Sequence, residues 1–391
     1  MLSDATLAYA EEMTNVLLGV DRLVRVDGGD GDDGLVVVNM DPNRIPTDFG
    51  SFDDAAAALH DLRRRAANLP EIDRRTYYDQ LCGSTLTLLA WRQGTVSFAD
   101  QIEGFLHVPP APVSDAELEH LQGEMYTLLG EMGYSGDLAA RAAAWEERNR
   151  VPADEVAGTL KAIMDEAWDR TVEQIDIPAS KDDGMQVSTV SGVPFNARCD
   201  YLHRTVELNI DPTLTLQSLR HLAVHEGYPG HYVQFKLRES WYHQGDAAAD
   251  GLLSIVNSAS SSPFEGIADN GMHVIGWDRT DDDRLSSLLG RYRSGLGTAA
   301  AWRLHALGWS AEVVTDWLRE RALVGGEGWA ANRIRFIGAP QRAALIWSYW
   351  WGERSVYPVW ARQSGERRGP FLEYLYGRMH SPHTIGMFDD V

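Results

Sequence analysis

The stretch His225-Glu226-Gly227-Tyr228-Pro229-Gly230-His231 restricts this chain more than any other. Its two imidazoles suit one metal ion, yet a regular helix cannot bring them together. Six residues at 100° each turn through about 600°, which points the rings to different sides of a straight helix. Proline cannot donate to the helix ladder and glycine can adopt positive φ, so Pro229-Gly230 predicts a local bulge that swings His231 back. Leu216–Val224 has the composition of a buried helix leading into that bulge.

Two imidazoles, Glu226 beside the first, and Glu265 in Ser262-Pro263-Phe264-Glu265-Gly266 make the parts of a hydrolytic zinc site. Zinc favours nitrogen and oxygen ligands, and a catalytic zinc keeps three protein ligands with one position open for water. His225, His231 and Glu265 are the candidate ligands. Glu226 is the candidate base, a carboxylate able to take the proton of the attacking water. A rival pair, His221 and His225, stands four residues apart and shares a helix face without any bulge. A packing role for the histidines with an ordinary ion pair for Glu226 is the bland alternative. Glu265 could instead stabilise a helix N-terminus through the dipole. Asp269, one turn beyond Glu265, is placed to accept a ligand imidazole N–H. His273, two turns beyond, reads as a core or supporting histidine.

The 391 residues carry a formal net charge of −22, which opposes binding to phosphate backbones and to anionic membrane surfaces. Two cysteines, Cys82 and Cys199, make no disulfide framework. The first residues lack a basic start followed by an apolar run, and no apolar run approaches the length that spans a bilayer, so a cytoplasmic location is expected.

Apolar spacing predicts helices over the first 22 residues, 52–69, 71–95, 114–132, 135–149 and 154–175, with Ser114 as an N-cap and Glu117 completing a capping box. Residues 26–34, rich in Gly and Asp (Asp27, Asp30, Asp32, Asp33), read as a solvated turn rather than a calcium loop. Met185–Val190 and Thr205–Ile210 alternate as half-buried strands around Gly192-Val193-Pro194. Helical character returns after Pro212. The expected fold is mainly α with a small antiparallel sheet beside the cleft. A helical part (1–175) and a metal-site part (176–391) are expected to pack as one domain.

His-Glu-Gly-Tyr-Pro-Gly-His with Gln234 three residues on resembles the signature of the bacterial domain-of-unknown-function eight-eight-five family. Those proteins look like relatives of the helical zinc peptidases that include carboxypeptidase Taq, angiotensin-converting enzyme and thimet oligopeptidase. Phe264-Glu265-Gly266 resembles the family's Glu-Gly-Trp-Ala element, with Ile267 in place of Trp. Leu304-His305-Ala306-Leu307-Gly308-Trp309 resembles its His-x-x-Gly-Trp element. Arg335-Phe336, Pro340-Gln341 and Ser348-Tyr349 to Gly352 resemble further stations, the Gly before Gln341 being absent and the spacing to Tyr349 longer. Tyr232 stands where a second His is commonest.

The resemblance spans roughly residues 185–360. It implies a helical zinc-peptidase-like fold, Zn2+ on His225, His231 and Glu265, and Glu226 as general base. It also implies His305 and Tyr349 as donors to the oxyanion of a tetrahedral intermediate, each donor worth about 2.7–4 kcal/mol. Without it, His305 reads as a core histidine and Tyr349 as part of an aromatic core with Trp347, Trp350 and Trp351. Arg333, Arg335 and Gln341 are substrate-binding candidates, the arginines for a carboxylate, with surface or ion-pair roles as the alternative. The expected activity is cleavage of a peptide or amide bond in a small peptide or amide-containing molecule. The alternative is biosynthetic chemistry on a small molecule with the same metal scaffold.

Overall fold

The structure, a computed structural model, describes residues 2–28 and 34–390. Its helices are α1 (Asp4–Gly28), α2 (Phe52–Ala66), α3 (Ile72–Arg92), α4 (Phe98–Leu106), α5 (Asp115–Glu131), α6 (Leu138–Asn149), α7 (Val156–Thr171), α8 (Leu216–Leu222), α9 (His231–Gln244), α10 (Ser261–Val274), α11 (Asp281–His305), α12 (Ala311–Arg321), α13 (Gly326–Gly338), α14 (Pro340–Ala343), α15 (Ile346–Arg362), α16 (Arg368–Gly377) and α17 (Pro382–Ile385). Its strands are β1 (Val36–Asn39), β2 (Gln186–Val190), β3 (Ala197–Asp200), β4 (Thr205–Asn209) and β5 (Leu253–Ile255). The chain is mainly α, as its apolar spacing predicts. The Ser114 hydroxyl accepts the Glu117 N–H at 3.2 Å and starts α5 where expected. The Asp-rich turn is described only at its ends: α1 runs through Asp27, while Asp30, Asp32 and Asp33 lie outside the described residues.

The sheet near residue 200 corrects the expectation of an antiparallel one. Its order is β2-β4-β3, with β2 parallel and β3 antiparallel to β4. The turn at 201–204 folds β3 directly onto β4, so β2 is left the other edge of β4 and runs parallel there. A second pair, β1 with β5, carries a bulge between Val36 and Val38 and had no signal in the sequence.

Two compact units emerge among the described residues: 1–110, 233–267 and 351–391 form the first, and 111–232 and 268–350 the second. The division does not fall at 175, where the sequence changes texture. Three of its boundaries lie inside α9, α10 and α15, so each of those helices belongs to both units.

In the first unit, α1 buries Tyr9, Met13, Val16, Leu17, Val20 and Val24, the stripe of an amphipathic helix. Tyr9 anchors it, donating to the Leu62 carbonyl of α2 at 3.0 Å and meeting the Tyr78 ring of α3 at 4.7 Å. Gln234 of α9, fully buried, donates to the Phe264 carbonyl of α10 at 3.0 Å. The Phe235 and Phe264 rings meet at 5.3 Å beside it. α10 and α15 cross so closely that a Cβ on Gly266 would lie 2.1 Å from the Gly352 carbonyl oxygen. In the second unit, α8 is capped by Thr215 and Ser218 in a capping box. Arg220 fastens it to Asp283 at the start of α11, at 2.7 Å.

Candidate metal centre

After α8 the helix widens into a single π turn over Ala223–Gly227. The Tyr228 N–H reaches the Ala223 carbonyl at 3.1 Å and the Gly230 N–H reaches that of Val224 at 2.9 Å. α9 then starts afresh at His231. The expected bulge is therefore a full break. The glycine serves it differently from the expectation: φ at Gly230 is not positive, but a Cβ there would lie 2.0 Å from the His225 carbonyl oxygen. Close approach of backbone to backbone demands the glycine.

The break brings the His225 and His231 rings to 4.6 Å, centroid to centroid, at 77°. Both are buried, as is Glu226 between them in sequence. Donor atoms of His225, His231 and Glu265 all lie within 4.8 Å of one another, and those of His221, His225 and Asp269 form a second such group. Hydrogen-bond lengths separate the two. His225 Nδ1 is 2.7 Å and His221 Nε2 3.0 Å from the same oxygen, Oδ1 of Asp269. Two ligands of one tetrahedral zinc stand about 3.3 Å apart, given bonds of 2.0–2.1 Å. The Asp269 pair is thus a set of hydrogen bonds, in which Asp269 accepts from two imidazoles. An imidazole that donates Nδ1–H to a carboxylate presents Nε2 as its ligand atom. Burial pushes the Asp269 carboxyl up, but His225 and then His221 outweigh it and hold Asp269 well below the usual carboxylate range. The remaining group, two nitrogens and one carboxylate oxygen, is a donor set that could hold a divalent metal ion.

Glu265 is the fifth residue of α10, beyond the turn where a carboxylate best meets the helix dipole. Its helix is held to α9 by the Gln234–Phe264 bond, one residue before Glu265. Beside Glu226 lies Cys199 of β3, whose thiol burial, followed by the Glu226 charge, pushes well above its ordinary range. Cys199 is therefore a neutral thiol next to the candidate base, a neighbour the sequence did not reveal.

The other candidates fall apart in kind. His305 ends α11 with Nε2 2.6 Å from the Ile337 carbonyl, so that nitrogen is engaged with α13. Tyr349 is half-buried on α15, its ring 6.2 Å from that of Phe336. His273 bonds Asp278 at 2.6 Å, in keeping with a supporting role. Arg335 is exposed, donates to the Val193 carbonyl at 3.2 Å and lies 4.0 Å from Asp211. Gln341 sits in the one-turn α14. Arg333 is half-buried and makes no hydrogen bond or ion pair with any described residue.

No family model and no curated protein matches the chain. Among solved structures it is similar to a protein of Colwellia psychrerythraea described as a lipoprotein, with a TM-score of 0.57 at 12% identity over 89% of this chain and 72% of that one. A second, from Shewanella oneidensis and described as a lipoprotein of unknown function, gives a TM-score of 0.51 at 13% identity over 89% and 74%. These likenesses concern the fold alone. Among the described residues no helix is long and apolar enough to cross a membrane.

Proposed function

We propose that this chain is a zinc-dependent hydrolase of peptide or amide bonds, with His225, His231 and Glu265 as ligands and Glu226 as general base. One observation carries the reading: His225 is oriented through Nδ1 by Asp269 while the same ring stands in a group with His231 and Glu265. A ring used merely for packing needs no such arrangement. Zinc, when bound, acidifies a water and polarises a carbonyl. Glu226 moves the proton: its carboxylate takes it from the attacking water and delivers it to the leaving amine. Burial of Glu226 keeps bulk water from competing for that proton. Tyr349 is the stronger candidate donor to the developing oxyanion, because His305 Nε2 is already engaged with a backbone carbonyl. Both cysteines are free thiols, which suits a reducing cytoplasm.

The test is release of amine and carboxylate from a peptide library by zinc-loaded protein. Cleavage should stop with a chelator and in Glu226→Gln, and Tyr349→Phe should lower kcat by about ten- to a thousandfold. A library left intact by fully loaded protein would refute the hydrolase.

A further inference from the structure

Two arginines are buried among the described residues, Arg74 and Arg238, both in the first unit. Arg74 bonds the carboxylate of Asp73 at 3.0 Å. Arg238, 3% exposed in the middle of α9, makes no ion pair with any described residue. Burial pulls it down to about 10, with Tyr77 and then Asp250 pulling the other way. Its Nε meets no acceptor among the described residues, and its hydrogen bond runs from Nη2 to Oε1 of Gln234 at 3.2 Å. Its guanidinium carbon stands 5.6 Å from the centre of the Phe264 ring. A side chain that only filled this space would cost less as methionine or leucine, since apolar groups of like volume replace buried charges with little loss.

What Arg238 does hold is the orientation of an amide. Gln234 stands four residues before it, on the same face of α9, and is fully buried. An amide has an accepting end and a donating end, whereas a guanidinium only donates. Oε1 must therefore face Arg238, which turns Nε2 toward α10, where it donates to the Phe264 carbonyl at 3.0 Å. That carbonyl and the Glu265 N–H belong to one planar peptide unit, which ends at the Glu265 Cα. The guanidinium also lies over the Phe264 ring, so bond and ring act on the same residue. Gln234, Arg238, Phe264 and Glu265 all belong to the first unit.

We propose that Arg238 is a positioning residue for Glu265: by fixing the Gln234 amide it holds the peptide before Glu265, and so aims the carboxylate offered to the metal. The proposal rests on the metal reading for what Glu265 ligates. An amide turned the other way would set an oxygen against the Phe264 carbonyl with no proton between them, which loosens the start of α10. Groups that orient a ligand directly are worth about 10–100-fold in metal affinity. Arg238 acts one step further out, so the lower end of that range is expected.

Zinc alone is the probe, titrated into metal-free protein and followed by calorimetry. Arg238→Met should weaken zinc about tenfold, Gln234→Met at least as much, and Arg238→Lys, which keeps a donor, less than Arg238→Met. Adding Arg238→Met to Gln234→Met, or to Glu265→Ala, should weaken zinc by less than about twofold more, because the effect has to pass through those two residues. An arginine with a merely structural role would lower the unfolding free energy and leave zinc per folded molecule unchanged. Unchanged zinc affinity in Arg238→Met, or its full loss repeated in either background, overturns the proposal. If Arg238→Met does not fold, Arg238→Lys takes its place in the same cycles: a loss that vanishes in Gln234→Met sustains the proposal, and no loss, or one that persists there, overturns it. If wild type takes up no zinc, the metal reading fails, and amide hydrogen exchange in the metal-free protein judges Arg238 separately. Faster exchange in the first two turns of α10 in Arg238→Met, with α2 unchanged, sustains its hold on the peptide before Glu265, and equal exchange there overturns it.

Discussion

Asp73 and Asp269 each hold two basic side chains, but the partners differ in kind. Asp73, fully buried in the first unit, accepts from Arg74 Nε at 3.0 Å and Arg378 Nη1 at 2.9 Å. Burial pushes its carboxyl up, and Arg74 followed by Arg378 overcome this and hold it below the usual range. Guanidinium is charged at every accessible pH, and Arg378 fastens the segment after α16 to α3 through Asp73. Asp269, in the second unit, accepts from His225 and His221, rings with a second nitrogen each. The first arrangement terminates at the carboxylate. The second passes through it, because orienting an imidazole by one nitrogen aims the other. A buried charge network by itself marks nothing functional; what sets Asp269 apart is that one of its partners, His225, also stands in the group with His231 and Glu265.

Removing each carboxylate should separate the two regions. Asp73→Ala removes the carboxylate that both Arg74 and Arg378 bond and should cost about 3–5 kcal/mol in denaturant unfolding, with zinc per folded molecule unchanged. Asp269→Ala should do the reverse, weakening zinc about 10–100-fold, near 1.4–2.7 kcal/mol, with a smaller loss of stability. Comparable zinc loss in both variants would erase the distinction. Gly266→Ala probes the link between packing and ligand: its methyl group meets the Gly352 backbone, so we expect about 1–3 kcal/mol of destabilisation together with weaker zinc binding through Glu265. Intact stability would mean that the crossing yields easily.

The smallest effect is a pH dependence belonging to the Asp73 region. Burial, reinforced by Arg74, holds His380 well below its ordinary pKa, so it stays neutral when folded. Unfolded, it protonates near pH 6.5. Its contribution is complete above that pH and falls away as the pH drops below it, because the unfolded state then binds the extra proton. His380→Gln should flatten the stability profile between about pH 6.5 and 5. A profile as steep as that of wild type would remove His380 from the account.

The helices were legible because their apolar residues recur at three and four, and the break at Tyr228–Gly230 because six residues between imidazoles exclude a straight helix. Glu265 and Asp269 were legible as one helical turn of carboxylates beside that motif. The place of β3 was not: Ala-Arg-Cys-Asp alternates over only four residues, too short to stand out, and its turn onto β4 makes it a strand. Nor was β1 with β5, whose pairing joins segments more than two hundred residues apart. Arg74 reads as a surface residue until Asp73 and Arg378 enclose it. The engagement of His305 with the Ile337 carbonyl, and the solitude of Arg333, are consequences of packing that no local pattern announces.

Zinc stoichiometry, measured by mass spectrometry on untagged protein after equilibration with limiting metal, tests the central claim most directly. The account predicts one zinc per chain in wild type and in Glu226→Gln, and little in His225→Ala, His231→Ala or Glu265→Ala. Zinc retained by His231→Ala but lost in His221→Ala would move the site to the other pair of histidines, and a wild-type chain that takes up no zinc would contradict the account altogether.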